Sequence, residues 1–181
     1  NNFEGSSATT KFMARAKHAG CSCWALTAGP SLNREKIDAL VGMGLDELRI
    51  TVMAGTRELY VRTHQGSPEN TFDRLRENLL FLKERKQSLR KPRPKLKLFC
   101  VVISENVEGL ADFARFGESV GADEIHYRPF DDVGDPGLSR LILTEDQTTQ
   151  TRRQLLEVKP YLESKGILHN IDAFLLAFHC K

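Results

Sequence analysis

No apolar run in this sequence approaches the roughly 20 residues that span a bilayer, so no membrane-crossing helix is expected. No charged-then-apolar leader opens it, so secretion is not expected either. Cysteine is scarce, with four among 181 residues at 21, 23, 100 and 180. That is too few for a disulfide scaffold, and it predicts a reduced, cytoplasmic setting. Neither sign of charge dominates: 26 Lys and Arg face 24 Asp and Glu, a net charge of +2. Nucleic acid is therefore not expected as a main partner. Several common motifs are missing as well. Without GxGxxG after a strand there is no dinucleotide-binding turn, and without GxxxxGK[ST] there is no P-loop. No GxSxG elbow supports a serine nucleophile. The five histidines, at 18, 64, 126, 169 and 179, show no paired metal spacing such as HxxxH.

What is present is an ordinary composition, 40% hydrophobic and 28% charged, with one domain's length. The one charge run is KERKQSLRKPRPKLK, Lys83 to Lys97, with eight basic residues and a single Glu84. It reads as a helix C-terminus, where cations suit the dipole, followed by a proline-broken, solvated loop. An acidic partner docking there is the alternative.

A joint recurs along the chain. Gly44-Leu45-Asp46-Glu47-Leu48-Arg49-Ile50-Thr51 resembles Gly121-Ala122-Asp123-Glu124-Ile125-His126-Tyr127-Arg128, and Gly20-Cys21 and Gly166-Ile167 occupy similar positions. Each glycine follows an amphipathic stretch, where the left-handed conformation ends a helix. Apolar stripes predict helices over Thr9–His18, around Ile37, Leu40 and Val41 with Asn33 as N-cap, and through Phe72, Leu75, Leu79 and Leu82. A further stripe contains Leu110, Phe113 and Ala114. Thr144 and Gln147 form a capping box opening the next helix, which Pro160 is expected to kink or end. Strands are expected at Cys21–Thr27, Glu47–Met53, Leu96–Ile103 and Glu124–Tyr127. The continuous run Leu98–Ile103 suggests a strand covered on both faces. Alternating strands and helices mean an α/β fold of parallel βα repeats, either an open doubly wound sheet or part of a barrel. In both, ligands lie at the C-terminal ends of the strands.

The ordered series TAGPSLNREKIDALVGMGLDELRITVMAGTRELYVRTHQGSPENTFDRLRENLLFLKER followed by LKLFCVVISENVEGLADFARFGESVGADEIHYRPF resembles the core domain of the radical S-adenosylmethionine (radical SAM) superfamily. The resemblance runs from about Phe12 to Phe130, and more loosely through Thr144–Asp172. It implies a (βα)₆ partial TIM-like barrel over residues 1–172, with 173–181 as a tail that opens a further domain. It also implies S-adenosylmethionine and a [4Fe–4S] cluster, whose electron cleaves that cofactor to a 5′-deoxyadenosyl radical. The family's CxxxCxxC cluster loop and Gly-Gly-Glu motif are absent from the sequence. The expectation is a fragment, the later two-thirds of the barrel, inactive alone. Its substrate would be a small molecule or a peptide.

By the same resemblance, the cofactor-binding candidates are Thr27, Thr51, Arg62, His64, Ser104 and Arg128. Thr51 stands where the family has a serine near the ribose and carboxylate, and Arg62 or His64 where it has a cation for that carboxylate. Met53 and Ala28 replace the family's acidic residue and asparagine. Each candidate has a plainer role. Thr51 and Ser104 suit strand-end hydroxyls satisfying backbone groups. Arg62 and His64 suit an exposed helix surface. Arg128 could pair with Asp131 or Asp132. Cys100 suits a small buried hydrophobe, and Cys180 either a terminal ligand or a free thiol.

In AGCSCWALTAGPSLN, strand periodicity places Cys21, Cys23, Ala25 and Thr27 on one face and Ser22, Trp24 and Leu26 on the other. The pair reads as strand packing, because no third or fourth metal ligand is near in sequence. A second account of the chain is a non-catalytic βα-barrel-like binding or assembly domain, self-associating through exposed strand edges. Plasma mass spectrometry of the purified protein should find no more iron or zinc than in a Cys21→Ser/Cys23→Ser variant. Stoichiometric metal lost in the variant would make the pair a ligand site.

Overall fold

The recurrent joint sets the registers of the sheet. In the computed structural model, which describes residues 7–29, 31–131 and 134–178, five parallel strands lie in chain order. They are β1 (Trp24–Thr27), β2 (Glu47–Thr51), β3 (Lys95–Val102), β4 (Glu124–Pro129) and β5 (Leu168–His169). Between them run α1 (Ser7–His18), α2 (Arg34–Gly42), α3 (Arg57–Thr63), α4 (Thr71–Ser88), α5 (Leu110–Ser119), α6 (Glu145–Ser164) and α7 (Ile171–Phe178). An order without reversal rules out the doubly wound sheet and makes this a partial barrel.

At the base of β2, the Asp46 carboxylate accepts from Cys23 N–H at 2.8 Å and from Lys17 Nζ at 2.6 Å, and it also pairs with Arg93. Asp123 does the same at the base of β4, accepting from Leu96 N–H at 2.8 Å and from Lys86 and Lys95, each at 3.1 Å. Each aspartate therefore holds an amide at the start of the preceding strand, and its own backbone completes the ladder beside it. The joint glycines Gly20, Gly44, Gly121 and Gly166 have φ between 67° and 80°, the left-handed exit expected of them.

The sheet is covered on one face only. Leu48, Ile50, Leu98, Cys100, Ile125 and Tyr127 are fully buried toward the helices, while Trp24, Arg49, Thr51, Lys97, His126 and Arg128 alternate onto an open concave face. Leu98–Ile103 is thus not sandwiched between two layers of helices, as its apolar run suggested. Right-handed crossovers between strands in sequential order place every helix on the same side. Phe99 is covered instead by charged side chains of its own face, with Lys97 Nζ 5.5 Å and the Arg128 guanidinium 4.7 Å from its ring centroid.

Local signals hold in detail. Asn33 caps α2, and Thr144 and Gln147 cap α6 reciprocally. Helix α6 runs on through Pro160 to Ser164 rather than ending there. β1 is shorter than expected, because Cys21 N–H is bonded to Ala16 C=O in the exit from α1 at 3.0 Å. Cys21 is therefore exposed, and only Cys23 packs against the core. β2 stops at Thr51, two residues before Met53 takes φ 62°. Across the boundary expected at 172/173, α7 continues with Phe174 and Leu175 buried in the same core. Among the described residues no helix is long and apolar enough to cross a membrane.

The charge run is not simply the solvated face expected of it, since it reaches other elements. Lys83 caps the Ser119 carbonyl at the end of α5, Lys91 caps Val41 and Gly42 at the end of α2, and Arg85 pairs with Asp38.

Burial alone raises the Asp123 pKa, but the Leu96 N–H and the lysines outweigh it and leave the group below its ordinary value. A depressed folded pKa gives stability that is present above the unfolded value, near ~3.9, and lost as pH falls through the folded one. Urea unfolding of Asp123→Asn should show a loss of about 1–2 kcal/mol at neutral pH that narrows progressively as pH falls below about 3.9. A gap that stays equal as pH falls would count against the carboxylate's role.

Candidate functional site

Two cavities sharing Val101 open at the C-terminal ends of the strands. The first, about 290 Å³, lies on the concave face between Trp24, Leu26, Arg49, Thr51, Phe99 and Arg128. The second, about 310 Å³, lies at the rim among Met53, Arg62, Thr63, Glu105, Phe130 and Arg140. Strand alternation places Thr51, Val101 and Arg128 on the same face, Val101 level with Arg128 and Thr51 level with Phe99, two residues lower on β3.

The two arginines of the concave face differ in their partners. Arg49 lies 4.2 Å over the Trp24 ring and pairs with Glu47 at 2.7 Å. Arg128 lies over Phe99, and none of the ion pairs among the described residues uses it. Of its two expected alternative partners, Asp131 joins it in none of those ion pairs and Asp132 lies outside the described residues. A ring face and a guanidinium outside those ion pairs together suit a ligand with a planar part and an anionic part. Lower on the same face, Glu124 joins Lys97 at 2.8 Å and His126 Nε2 at 2.6 Å. Desolvation, then repulsion from Lys97, lowers the His126 pKa against the pull of Glu124.

The other candidates sit elsewhere. Thr27 is buried toward the helices, and its Oγ1 accepts from Gly29 N–H at 3.0 Å. Arg62 lines the rim cavity and pairs with Glu108. His64 caps the end of α3, stacked on Tyr60 with centroids 3.9 Å apart. Desolvation lowers its pKa, and the Tyr60 carbonyl bond partly restores it. Ser104 donates to Arg140 C=O at 2.6 Å, and Arg140 in turn pairs with Glu105, which fastens the rim after β3. Thr51 and Arg128 are thus brought together on the concave face, with Arg62 beside them across the rim. Thr27, His64 and Ser104 hold backbone.

Sequence reading passed over the residue that ties this end together. Asn106 is fully buried. Its Oδ1 accepts from Ile103 N–H at 2.9 Å, and its Nδ2 donates to Val101 C=O at 2.9 Å and Met53 C=O at 3.1 Å. One carboxamide therefore fixes the ends of β2 and β3 and the left-handed turn at Met53. Its signal in the sequence was only a polar residue following an apolar run. Nearby, a Cβ on Gly55 would lie 2.2 Å from the Asp112 backbone, so only glycine lets the loop after β2 pass α5. Cys100 is fully buried, and desolvation drives its thiol far above the ordinary range, so it acts as a packed hydrophobe.

No protein-family model and no curated protein matches the sequence. Solved structures do. A polyhistidine-tagged anSMEcpe with bound AdoMet superposes with a TM-score of 0.69 at 13% identity, over 92% of this chain and 44% of that one. Streptococcus suis SuiB superposes with a TM-score of 0.65 at 12% identity, over 88% of this chain and 34% of that one. SuiB bound to its precursor peptide SuiA gives 0.64 at 12%, with the same coverage. The fold is that of the radical SAM core. This chain spans less than half the length of either of those chains. That fold accounts for the in-order parallel strands and the one-sided helices.

Asn106→Ala removes the side-chain partner of the Ile103 amide and of the Val101 and Met53 carbonyls. A loss of about 3 kcal/mol in chemical unfolding is expected. A loss below about 1 kcal/mol would mean that water replaces the clamp.

Proposed function

We propose that this chain is part of a radical SAM enzyme, binding S-adenosylmethionine on the concave face and positioning a substrate there. One observation carries the reading: a radical SAM core fold whose open face, at the strand ends, joins the Arg128 guanidinium, the Thr51 hydroxyl and an aromatic floor. Those groups fit the cofactor's carboxylate, ribose and adenine respectively. The cofactor, when reductively cleaved, supplies a radical that abstracts hydrogen. The residues of this chain bind, orient and exclude water.

A cluster does not fit the residues present. Among the described residues no group of three or more His, Cys, Asp or Glu side chains could hold a metal ion. Cys100 is buried and protonated, Cys21 is exposed at the base of the sheet, and Cys180 lies outside the described residues. No step of this chain's own runs through iron, and the chain by itself is read as catalytically silent. A peptide is favoured as the substrate class, since one structure of this fold is SuiB bound to a precursor peptide. Free thiols suit a cytoplasmic setting.

A second reading rests on β1, an outer strand of the described sheet whose Trp24 and Leu26 are 54% and 40% exposed. It makes the chain a binding or assembly unit that self-associates through that edge. Sedimentation showing a clean monomer at high concentration would count against it.

Equilibrium dialysis of labelled S-adenosylmethionine should show saturable binding. Arg128→Ala should weaken it about tenfold and Thr51→Val severalfold, with folding unchanged by circular dichroism. A folded protein that binds none at millimolar concentration sinks the reading. A stoichiometric cluster that yields 5′-deoxyadenosine after anaerobic reconstitution would overturn catalytic silence.

A further inference from the structure

A larger cavity, about 440 Å³, lies at the opposite end of the sheet, beneath the strand N-termini. Its floor is aliphatic: Leu82 from α4, Leu96 from β3 and Val120 after α5, all almost fully buried themselves. Its walls come from the basic run. Of the eight cations in that run, five meet carboxylates: Arg85 with Asp38, Lys86 and Lys95 with Asp123, Arg93 with Asp46 and Lys97 with Glu124. The other three are Lys83, Arg90 and Lys91, and no ion pair among the described residues uses them. All three line this one cavity. Lys83 and Lys91 reach backbone carbonyls at helix ends, and no carboxylate among the described residues pairs with their charge.

The backbone adds an independent sign. Arg90 stands at the exit of α4, with its N–H bonded to Gln87 C=O at 3.0 Å, and has φ 52°. The exits of α1, α2, α5 and α6 carry glycine in the same left-handed conformation. A side chain here opposes the local preference, and such positions concentrate at sites of function. The retained side chain is a long cation at the mouth of an apolar cavity.

We propose that this basal groove docks an acidic segment of a partner protein, one large aliphatic side chain seated on the floor and flanking carboxylates on Lys83, Arg90 and Lys91. Charge complementarity selects the acid, and the leucine and valine floor selects the aliphatic anchor. Nucleic acid fits poorly, because no aromatic ring lines the groove to stack a base. The groove is separate from the concave face, so docking there does not depend on cofactor binding.

Fluorescence polarisation tests this with a labelled acidic hexapeptide carrying a central Leu-Leu pair, against a version with serines in place of the leucines and one with lysines in place of the acids. The acidic, leucine-bearing peptide should bind, weaken as salt rises, and outcompete both controls. Arg90→Gly should weaken binding about tenfold while melting no lower than the parent, since glycine suits that backbone. Lys83→Gln/Lys91→Gln should weaken it further. No binding at millimolar peptide, or equal binding by Arg90→Gly, overturns the proposal. So does a single-stranded oligonucleotide that displaces the peptide and shows the same Arg90 dependence.

Discussion

The carboxylates of Asp46 and Asp123 hold the sheet from below. A parallel sheet offers no tight hairpin to fix its register, so each strand must be aligned by something at its ends. Here each aspartate takes an amide at the start of the strand before it, and cations from α1, α4, β3 or the loop before β3 neutralise the charge that would otherwise be costly at a partly buried position. Lys86, Arg93 and Lys95 of the basic run therefore serve as counter-charges for the joints.

Alignment at the base decides what faces the ligand at the top. With the registers set, Thr51, Val101 and Arg128 alternate onto the uncovered face, and Leu48, Leu98 and Ile125 alternate beneath the helices. The rim needs its own fastening, because strand pairing ends there. Asn106 provides it through backbone groups of β3 and of the turn after β2, and the Arg140–Glu105 and Arg62–Glu108 pairs brace the loops on either side. The two ends of the sheet thus use different chemistry. Carboxylates accept amides at the base, and a neutral carboxamide that both donates and accepts works at the rim.

Much of the fold was legible. Glycine at the exits of α1, α2, α5 and α6, Asn33 and Thr144 as caps, and the alternation of stripe and strand all act over a few residues, and all appear where the sequence put them. The partial barrel was half legible, since spacing left barrel and doubly wound sheet open and only strand order separates them. The apolar run Leu98–Ile103 misled because a sequence shows that a residue avoids water without showing what shields it. Phe99 is shielded by Lys97 and Arg128, whose aliphatic stems cover apolar surface as readily as leucine does. Of the candidate site, Thr51 and Arg128 follow from strand-end position. Asn106 could not be singled out, because its partners lie 53, 5 and 3 residues away and converge only after β2 and β3 pair.

Strand order has a further consequence. Every strand here bonds only to the strands that precede and follow it along the chain. Nothing later in the sequence is inserted between earlier strands, so the sheet can grow or shrink by whole βα units at either edge without rewiring the rest. An architecture of that kind is modular in a literal sense: what is added at one edge extends the concave wall and leaves the alignment of the existing strands untouched.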